Sequence, residues 1–429
     1  PQLSFVSDGV YSTARTDIGF QASLSDLALV SPRASGAVDV TGRATGNGQP
    51  IAVTLAAAIP SGEVMGRRLT SGRVGFTGTV ANGDLTGTVT GGGGLDGLVL
   101  ALDAGVRATE EDKILEGLNV AIGPNRLTGD LARHGSDPVV GRLTLDAPDI
   151  ASVAALALTD ASGALAADIT LADDNGTQGL TLAANASTLV VAGNRIDSLT
   201  AKAQVADAFG VPLLDGTLDA NGMMVAGFDI RSLSASATRQ SADDMRFVGD
   251  ATFGIGTVAT LSGGVKTLDP GFAATIDTLS LSQAAVSATL KAPATVTMHD
   301  GTVDLTPLAL DFGTGTLTAQ GRLDDTFDID VAMQTLPLAI ANAIRPSLGL
   351  AGTVTGTARV TGPRDAPDVR FQASGAGLAS TATRNAGLPP AAVTASGQTS
   401  AGRLNLNAAL TAPGGLSATV TGAVPLGAG

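Results

Sequence analysis

The 429-residue sequence contains no cysteine, no tryptophan, one tyrosine and two histidines. Without cysteine there is no disulfide framework to interpret, which suits an envelope protein that dispenses with disulfides. His134 and His299 lie far apart in the chain and form no HExxH spacing. The sequence therefore predicts no zinc site.

Motifs for catalysis and cofactors are also missing. No GxSxG is present, and Gly92–Gly97 satisfies GxGxxG but is followed by alternating leucines instead of a helix, so we expect a turn between strands and no dinucleotide. The stretch from Asp173 to Gly176 lacks the spaced ligands and closing glutamate of a calcium loop, which predicts a hairpin turn. Glu110–Asp112 looks like a solvated loop. We predict no enzyme activity, no cofactor and no metal.

The sequence has neither a long apolar run nor a basic surface. The sequence contains no run of 18 apolar residues, so no membrane-spanning helix is predicted within it. Acidic residues outnumber basic ones by 39 to 25, for a net charge of −14, so no nucleic-acid partner is expected and the acidity is interpreted as solubility of one sheet face. The chain begins (PQLSF) and ends (GAVPLGAG) in the middle of a pattern. We expect an internal section of a longer chain, whose targeting segment lies outside it.

The sequence does contain many stretches in which apolar or small residues alternate with polar ones, with a period of two. Apolar residues make up 44% of the chain but aromatics only 3%, which predicts a smooth aliphatic surface. Between Gly352 and Gly362 small or apolar residues occupy every second position, and the parity flips across residues 363–367. This pattern predicts a hairpin with both apolar rows on one side. Further turns are predicted at Asn82-Gly83, Asn175-Gly176 and Asn221-Gly222.

A long repeat organises the strands. Residues 115–128 resemble 305–318, and 147–163 resemble 336–352, which gives a unit of about 190 residues. We predict one continuous section over 1–429, with units near 1–171, 172–360 and a partial 361–429. Leu336, Ile340 and Ile344 fall on one helical face, with Pro337 in the first turn, so each unit is expected to contain a short amphipathic helix.

The predicted fold is all-β, with on the order of 35 strands of eight to ten residues each. A U-shaped amphipathic sheet would form a hydrophobic groove, and phospholipid acyl chains would fill it at ~0.8 kcal/mol per buried CH₂. The helix is either a gate in this groove or a packing element. The predicted groove lining consists of Leu118, Val120, Ile122, Leu127, Leu308, Leu310, Phe312, Leu317, Phe327, Ile329, Val331, Met333, Val354, Val360, Val369 and Phe371.

Two other architectures share the alternation. A secreted β-solenoid of the autotransporter-passenger or adhesin kind would have a packed core and no lipid, but its repeat is about 20 residues instead of 190. A transmembrane barrel would need aromatic girdles, for which this chain has too few aromatics.

The order of motifs over 303–379 resembles the TamB family of the bacterial translocation and assembly module, within the wider AsmA-like group. The resemblance rests on a strand pair ending in GRL, the LPLAIANAI helix and the GTVTGTARVTGP…AP hairpin, with a fainter match over 95–171. It implies a β-taco groove in a periplasmic protein of a Gram-negative bacterium, anchored in the inner membrane by a segment outside this chain. It also implies phospholipid transport to the outer membrane, a role in outer-membrane protein assembly and secretion, and a TamA-like barrel partner contacted through regions outside this chain.

Overall fold

The computed structural model describes residues 2–12, 14–156, 159–209, 213–225, 227–283, 286–344, 346–364, 366–400 and 403–425. The predicted all-β class is confirmed over these ranges, where antiparallel strands predominate and the helices are short. The chain divides into two compact units, residues 1–228 and 229–429. The predicted repeat boundaries near 171 and 360 stay a prediction.

The first unit is an antiparallel sheet built from consecutive strands. Its strands are β1 (Leu3–Tyr11), β2 (Thr16–Leu24), β3 (Ala34–Ser35), β4 (Val38–Gly46), β5 (Ile51–Val64), β6 (Arg67–Ala81), β7 (Asp84–Leu95), β8 (Leu98–Ala108), β9 (Asp112–Ile122), β10 (Asn125–His134), β11 (Val140–Ala147), β12 (Ala161–Asp174), β13 (Thr177–Val191), β14 (Asn194–Ala206) and β15 (Leu213–Val225). Apart from the two-residue β3, each strand from β1 to β15 pairs antiparallel with its neighbour in the chain.

The second unit follows the same plan. Its strands are β16 (Phe228–Arg239, which begins at the unit boundary), β17 (Asp244–Phe253), β18 (Val258–Thr267), β19 (Phe272–Gln283), β20 (Val286–Leu290), β21 (Ala294–His299), β22 (Thr302–Asp311), β23 (Thr316–Leu323), β24 (Thr326–Pro337), β25 (Ala351–Pro363), β26 (Asp368–Ala379), β27 (Ala391–Ser400), β28 (Arg403–Ala412) and β29 (Leu416–Pro425). The short β20 and β21 together take one place in the ladder, since both pair with β19 on one side and β22 on the other.

Two-residue turns join many of the strands. Asn82-Gly83 links β6 to β7 and Asn175-Gly176 links β12 to β13, as predicted, and both residues of each turn have positive φ. This backbone is that of a type I′ turn, whose twist matches the twist of the flanking strands, and glycine adopts it without steric cost. The turns at 65–66, 96–97, 192–193 and 300–301 have the same pair of positive φ angles.

Two glycine predictions are wrong. Gly92–Gly94 lie inside β7, and only Asp96-Gly97 turn the chain. A Cβ added to Gly93 would stand 3.1 Å from the backbone of Thr70, so the missing side chain lets β6 approach closely. Asn221-Gly222 lies within β15 instead of forming a turn. A Cβ on Gly222 would meet the Asp197 carboxyl at 2.2 Å, so this glycine makes room for that side chain.

Strand lengths also depart from expectation. The described residues form 29 strands, and several reach 12 to 15 residues, such as β6 and β13 with 15 each. The estimate of about 35 strands was too high because it assumed strands of eight to ten residues, whereas many strands of this chain are longer.

The helical elements are short and interrupt the strands at corresponding places. They are α1 (Ile150–Leu156), α2 (Ala341–Ile344, preceded by a 3₁₀ turn at Leu338–Ile340 and followed by another at Pro346–Leu348) and α3 (Thr381–Asn385). The order from β9 through α1 to β12 recurs from β22 through α2 to β25, which matches the spacing of the sequence repeat. Within the described ranges, no helix has both the length and the apolarity to cross a bilayer.

Candidate functional site

The pairing of neighbouring strands places apolar residues directly opposite one another, so that they form rows that run across the strands. One row crosses 14 strands of the first unit and contains only apolar residues and glycine. Its members are Phe5, Ala22, Val40, Ala57, Val74, Gly91, Leu102, Val120, Leu127, Leu145, Ala167, Ala184, Ala201 and Leu218. We call the side of each unit that carries such rows its apolar face. At ~4.8 Å between strands, this row is roughly 60 Å long when followed along the ladder.

The second unit has equivalent rows on its own apolar face. One consists of Leu308, Ala319, Val331, Ala358, Phe371, Gly397, Leu406 and Gly422. The next consists of Leu310, Leu317, Met333, Gly356, Ala373, Ala395, Ala408 and Val420. An unbroken apolar face across successive strands requires every hairpin to keep its register, since a slip of one residue would turn a strand's apolar side chains to the other face.

Most of the predicted lining residues fall on these faces. Val120 and Leu127 lie in the first unit's row, and Leu118 lies on the same side of β9, two residues from Val120. In the second unit, Ile329 pairs with Val360, which pairs with Val369. Phe327 and Val354 lie on the same side of β24 and β25, opposite Gly362 and Leu336 respectively. Phe312 lies just beyond β22, where its N–H donates to the Gly315 carbonyl at 2.8 Å.

The apolar face is only half-buried. Fifteen of the 16 predicted lining residues are partly exposed, and the exception is Ile122 with 1% exposure. Among the described residues, the large hydrophobic side chains that are buried are Leu69, Leu95, Ile122, Leu213 and Met223. A face enclosed by a second packed layer would bury its rows as protein cores do. In this structure the rows contact one another along the sheet and remain partly open on their outer side.

Phenylalanine rings lie across neighbouring glycines of the apolar face. A Cβ built on Gly42 would stand 2.2 Å from the Phe20 ring, and one built on Gly397 would stand 2.4 Å from the Phe371 ring. Phe247 occupies the space above Gly263 in the same way. Each of these glycines therefore leaves space for a phenylalanine ring from the neighbouring strand, and the ring packs over the glycine backbone on the apolar face.

The opposite face, which we call the polar face, alternates with the apolar face along each strand. In the first unit one of its rows includes Thr90, Asp103, Asn119, Thr128, Thr144 and Asp168. Ion pairs such as Arg246–Asp277 at 2.7 Å are more than a quarter exposed at both partners. Exposed pairs of this kind contribute little stability to the sheet.

Two of the helical elements, α1 and α2, are each held near a strand end by an asparagine side chain. Asn125 begins β10 and is 1% exposed, and its Oδ1 accepts a 3.0 Å hydrogen bond from the N–H of Asp149 just before α1. Asn342 of α2 binds both the N–H and the carbonyl of Leu350, at 2.6 and 2.8 Å. Leu336 and Ile340 are half-buried, and the side chain of Ile344 lies outside what the structure describes.

The two histidines each pair with one aspartate. His134 Nδ1 lies 2.9 Å from Asp112 Oδ1, and His299 Nε2 lies 3.2 Å from Asp304 Oδ2. The hydrogen bond to Asp112 raises the pKa of His134 above its ordinary 6.5, and the same bond lowers the pKa of Asp112 below 3.8. The part of the chain that the structure describes holds no group of three or more potential metal-ligating side chains.

Sequence reasoning missed one feature of the polar face. Between β23 and β28 this face forms a concavity of about 700 Å³, lined by side chains including Gln320, Arg370, Gln398 and Asn405. Alternation marks these residues as polar, but it carries no signal that they form a concave surface.

A search against protein-family models, curated proteins and solved structures found no match for this chain.

Proposed function

We propose that the apolar face binds the acyl chains of phospholipids and forms part of a conduit that carries them between two membranes. The lipid tails would lie along the apolar rows while the polar face stays in water. Each methylene removed from water would contribute ~0.8 kcal/mol, so a tail lying along several rows would be held without any specific polar contact.

The observation that carries this proposal is the half-burial of long, unbroken apolar rows. In the first unit every member of the 14-strand row is apolar or glycine. A partly exposed apolar surface of this extent is uncommon on globular proteins and is typical of a surface that binds a ligand or partner. An aliphatic ligand suits it better than an aromatic one, because the rows consist mainly of Leu, Val and Ala with few rings to stack against.

The alternative of a packed secreted solenoid receives less support. Such solenoids stack successive rungs, and identical strands of adjacent rungs pair side by side. Here the strands of each unit pair antiparallel with their neighbours in the chain. A solenoid core would also enclose its apolar rows, whereas Ile329, Val331 and Val360 are half-buried.

The cellular setting is part of the proposal and rests on the resemblance to the TamB family. We infer a U-shaped β-taco groove in the periplasm of a Gram-negative bacterium, with an inner-membrane anchor supplied by a segment outside this chain. A role in outer-membrane protein assembly and a TamA-like barrel partner belong to the same inference.

The experiment is a binding titration of purified protein with a fluorescent phospholipid. We expect saturable binding that unlabelled phospholipid displaces. Glycerophosphocholine, which keeps the headgroup but lacks acyl chains, is the control and should not compete. Competition by glycerophosphocholine would move the site to the headgroup, and absence of phospholipid binding would favour the packed solenoid.

A further inference from the structure

The polar face of the second unit is concave where β23 to β29 lie side by side. The concavity of about 700 Å³ adjoins a second one of about 840 Å³, and the two share Ala332, Thr357, Gln372, Ser396 and Asn407 in their linings. Together they make one continuous surface that runs across the strands, with volumes in the range of ligand sites. A ligand that follows this surface would be elongated.

The first concavity contains one arginine, Arg370, for which the described part of the chain supplies no partner. Its charged lining residues are Asp330, Arg359 and Arg370. Arg359 is held by two carboxylates, with Nη2 at 2.8 Å from Asp328 and Nη1 at 3.6 Å from Asp330. Arg370 stands directly opposite Arg359 on β26 and makes no ion pair or side-chain hydrogen bond within the described ranges. Its guanidinium group is therefore available to a ligand.

The position of Arg370 is unfavourable for the free protein. Like charges directly opposite each other on neighbouring strands are destabilising. Lys113 and Arg133 also stand opposite each other, but both donate hydrogen bonds to backbone carbonyls at their end of the hairpin. Arg370 has no such compensation, and a local conflict of this kind is typical of a binding site.

Neutral hydrogen-bonding groups surround this arginine. Gln320, Gln372, Gln398, Asn405 and Asn407 line the concavity, and within the described ranges none of their amide side chains has a hydrogen-bond partner in the protein. Each amide offers both donors and an acceptor, so the array suits a ligand rich in hydroxyl groups. The single free guanidinium adds a site for a carboxylate, which it can bind through two parallel hydrogen bonds.

We propose that this concavity binds an acidic oligosaccharide of the uronic-acid class, whose hydroxyls meet the amide array and whose carboxylate meets Arg370. A lipid tail would find only isolated apolar contacts here, such as Ala332, instead of the unbroken rows of the apolar face. An extended peptide satisfies its backbone groups by adding to a sheet edge instead of lying across a face.

The test is calorimetric titration of the full chain with tetragalacturonate, with its neutral methyl ester and with acetate. Tetragalacturonate should bind, and the methyl ester and acetate should bind at least about tenfold more weakly. The methyl ester lacks the charged carboxylate for Arg370, and acetate lacks the hydroxyl groups for the amide side chains. Arg370→Gln should weaken tetragalacturonate binding about tenfold, and Gln398→Ala should weaken it by a smaller factor. Since Arg370 has no partner within the described ranges, its replacement should leave the circular dichroism spectrum unchanged.

The matched control is Arg142→Gln, which removes an exposed strand arginine of the first unit with no ion pair among the described residues, and it should bind like the wild type. Absence of tetragalacturonate binding at millimolar concentration would overturn the proposal. So would equal affinity for the methyl ester, or equal losses in the Arg370 and Arg142 variants. Phospholipid binding should be unaffected by Arg370→Gln, so the outcome is independent of the lipid titration.

Discussion

Placing a carboxylate on the apolar face should remove lipid without unfolding the sheet. The sharpest variants are Ile329→Asp and Val331→Asp, singly and together. Ile329 lies between Gly321 and Val360, and Val331 lies between Ala319 and Ala358. Both are half-buried, so their side chains retain contact with solvent in the free protein.

The magnitude follows from this partial exposure. Full burial of an Ile or Val side chain contributes about 1.5–3 kcal/mol, so loss of a half-buried one should cost about 1 kcal/mol per site. A carboxylate at a partly exposed position keeps part of its hydration. In an enclosed core each unpaired carboxylate would instead cost several kcal/mol, and two of them would approach the 5–15 kcal/mol that stabilises a typical domain.

The assay pairs urea unfolding, followed by far-UV circular dichroism, with binding of the fluorescent phospholipid. We expect the double variant to keep its β spectrum, to lose about 2 kcal/mol of unfolding free energy and to lose phospholipid binding. Thr357→Asp, on the polar face of β25, is the matched control and should change neither property. Loss of the β spectrum in the single variants, or undiminished lipid binding in the double variant, would refute the reasoning.

Two further predictions follow from the side-chain contacts. Gly397→Ala should destabilise the protein by about 1–3 kcal/mol in urea unfolding, because the added Cβ would collide with the Phe371 ring. Gly249→Ala is the control and should be neutral or slightly stabilising, since its Cβ would meet only ordinary contacts beyond 3.5 Å. Equal effects of the two substitutions would contradict the packing of phenylalanine rings on glycines. In an NMR titration the pKa of His134 should lie above 6.5 and should fall in Asp112→Asn, because the hydrogen bond to Asp112 raises it. The pair contributes stability above the ordinary pKa of Asp112 (3.8) and loses it as pH rises through the raised pKa of His134. An unchanged His134 pKa in the variant would show that the contact is not formed.

The alternation of small and polar residues was sufficient to predict the fold class and the side on which most apolar residues lie. Val360 and Val369 pair across the predicted hairpin, as the parity flip at residues 363–367 requires. The helix predicted from Leu336, Ile340 and Ile344 is present in part, as a 3₁₀ turn followed by α2, but Leu336 and Pro337 belong to β24 instead, where they pair with Val354 and Thr353. These features depend on local periodicity, which a single sequence displays directly.

Features that depend on contacts between strands were not predictable. Gly92–Gly94 resemble a turn in sequence, but they lie in a strand because the neighbouring backbone needs their space. Ile122 has the same alternation as Val120, yet it is enclosed at a strand end beside the buried Asn125. The polar concavity around Arg370 likewise depends on how several strands curve together. Alternation specifies the face of a residue but says nothing of what approaches that face.

The most direct measurement of the central claim is photocrosslinking to phospholipid along a single strand. A photoreactive residue replaces, one at a time, Phe327, Ile329, Val331 and Met333 on the apolar face of β24, and then Asp328 and Asp330 between them. The account predicts lipid adducts from the first four positions and none from the two aspartate positions, a period of two that follows the strand. Adducts of equal yield from both faces, or from neither, would contradict it.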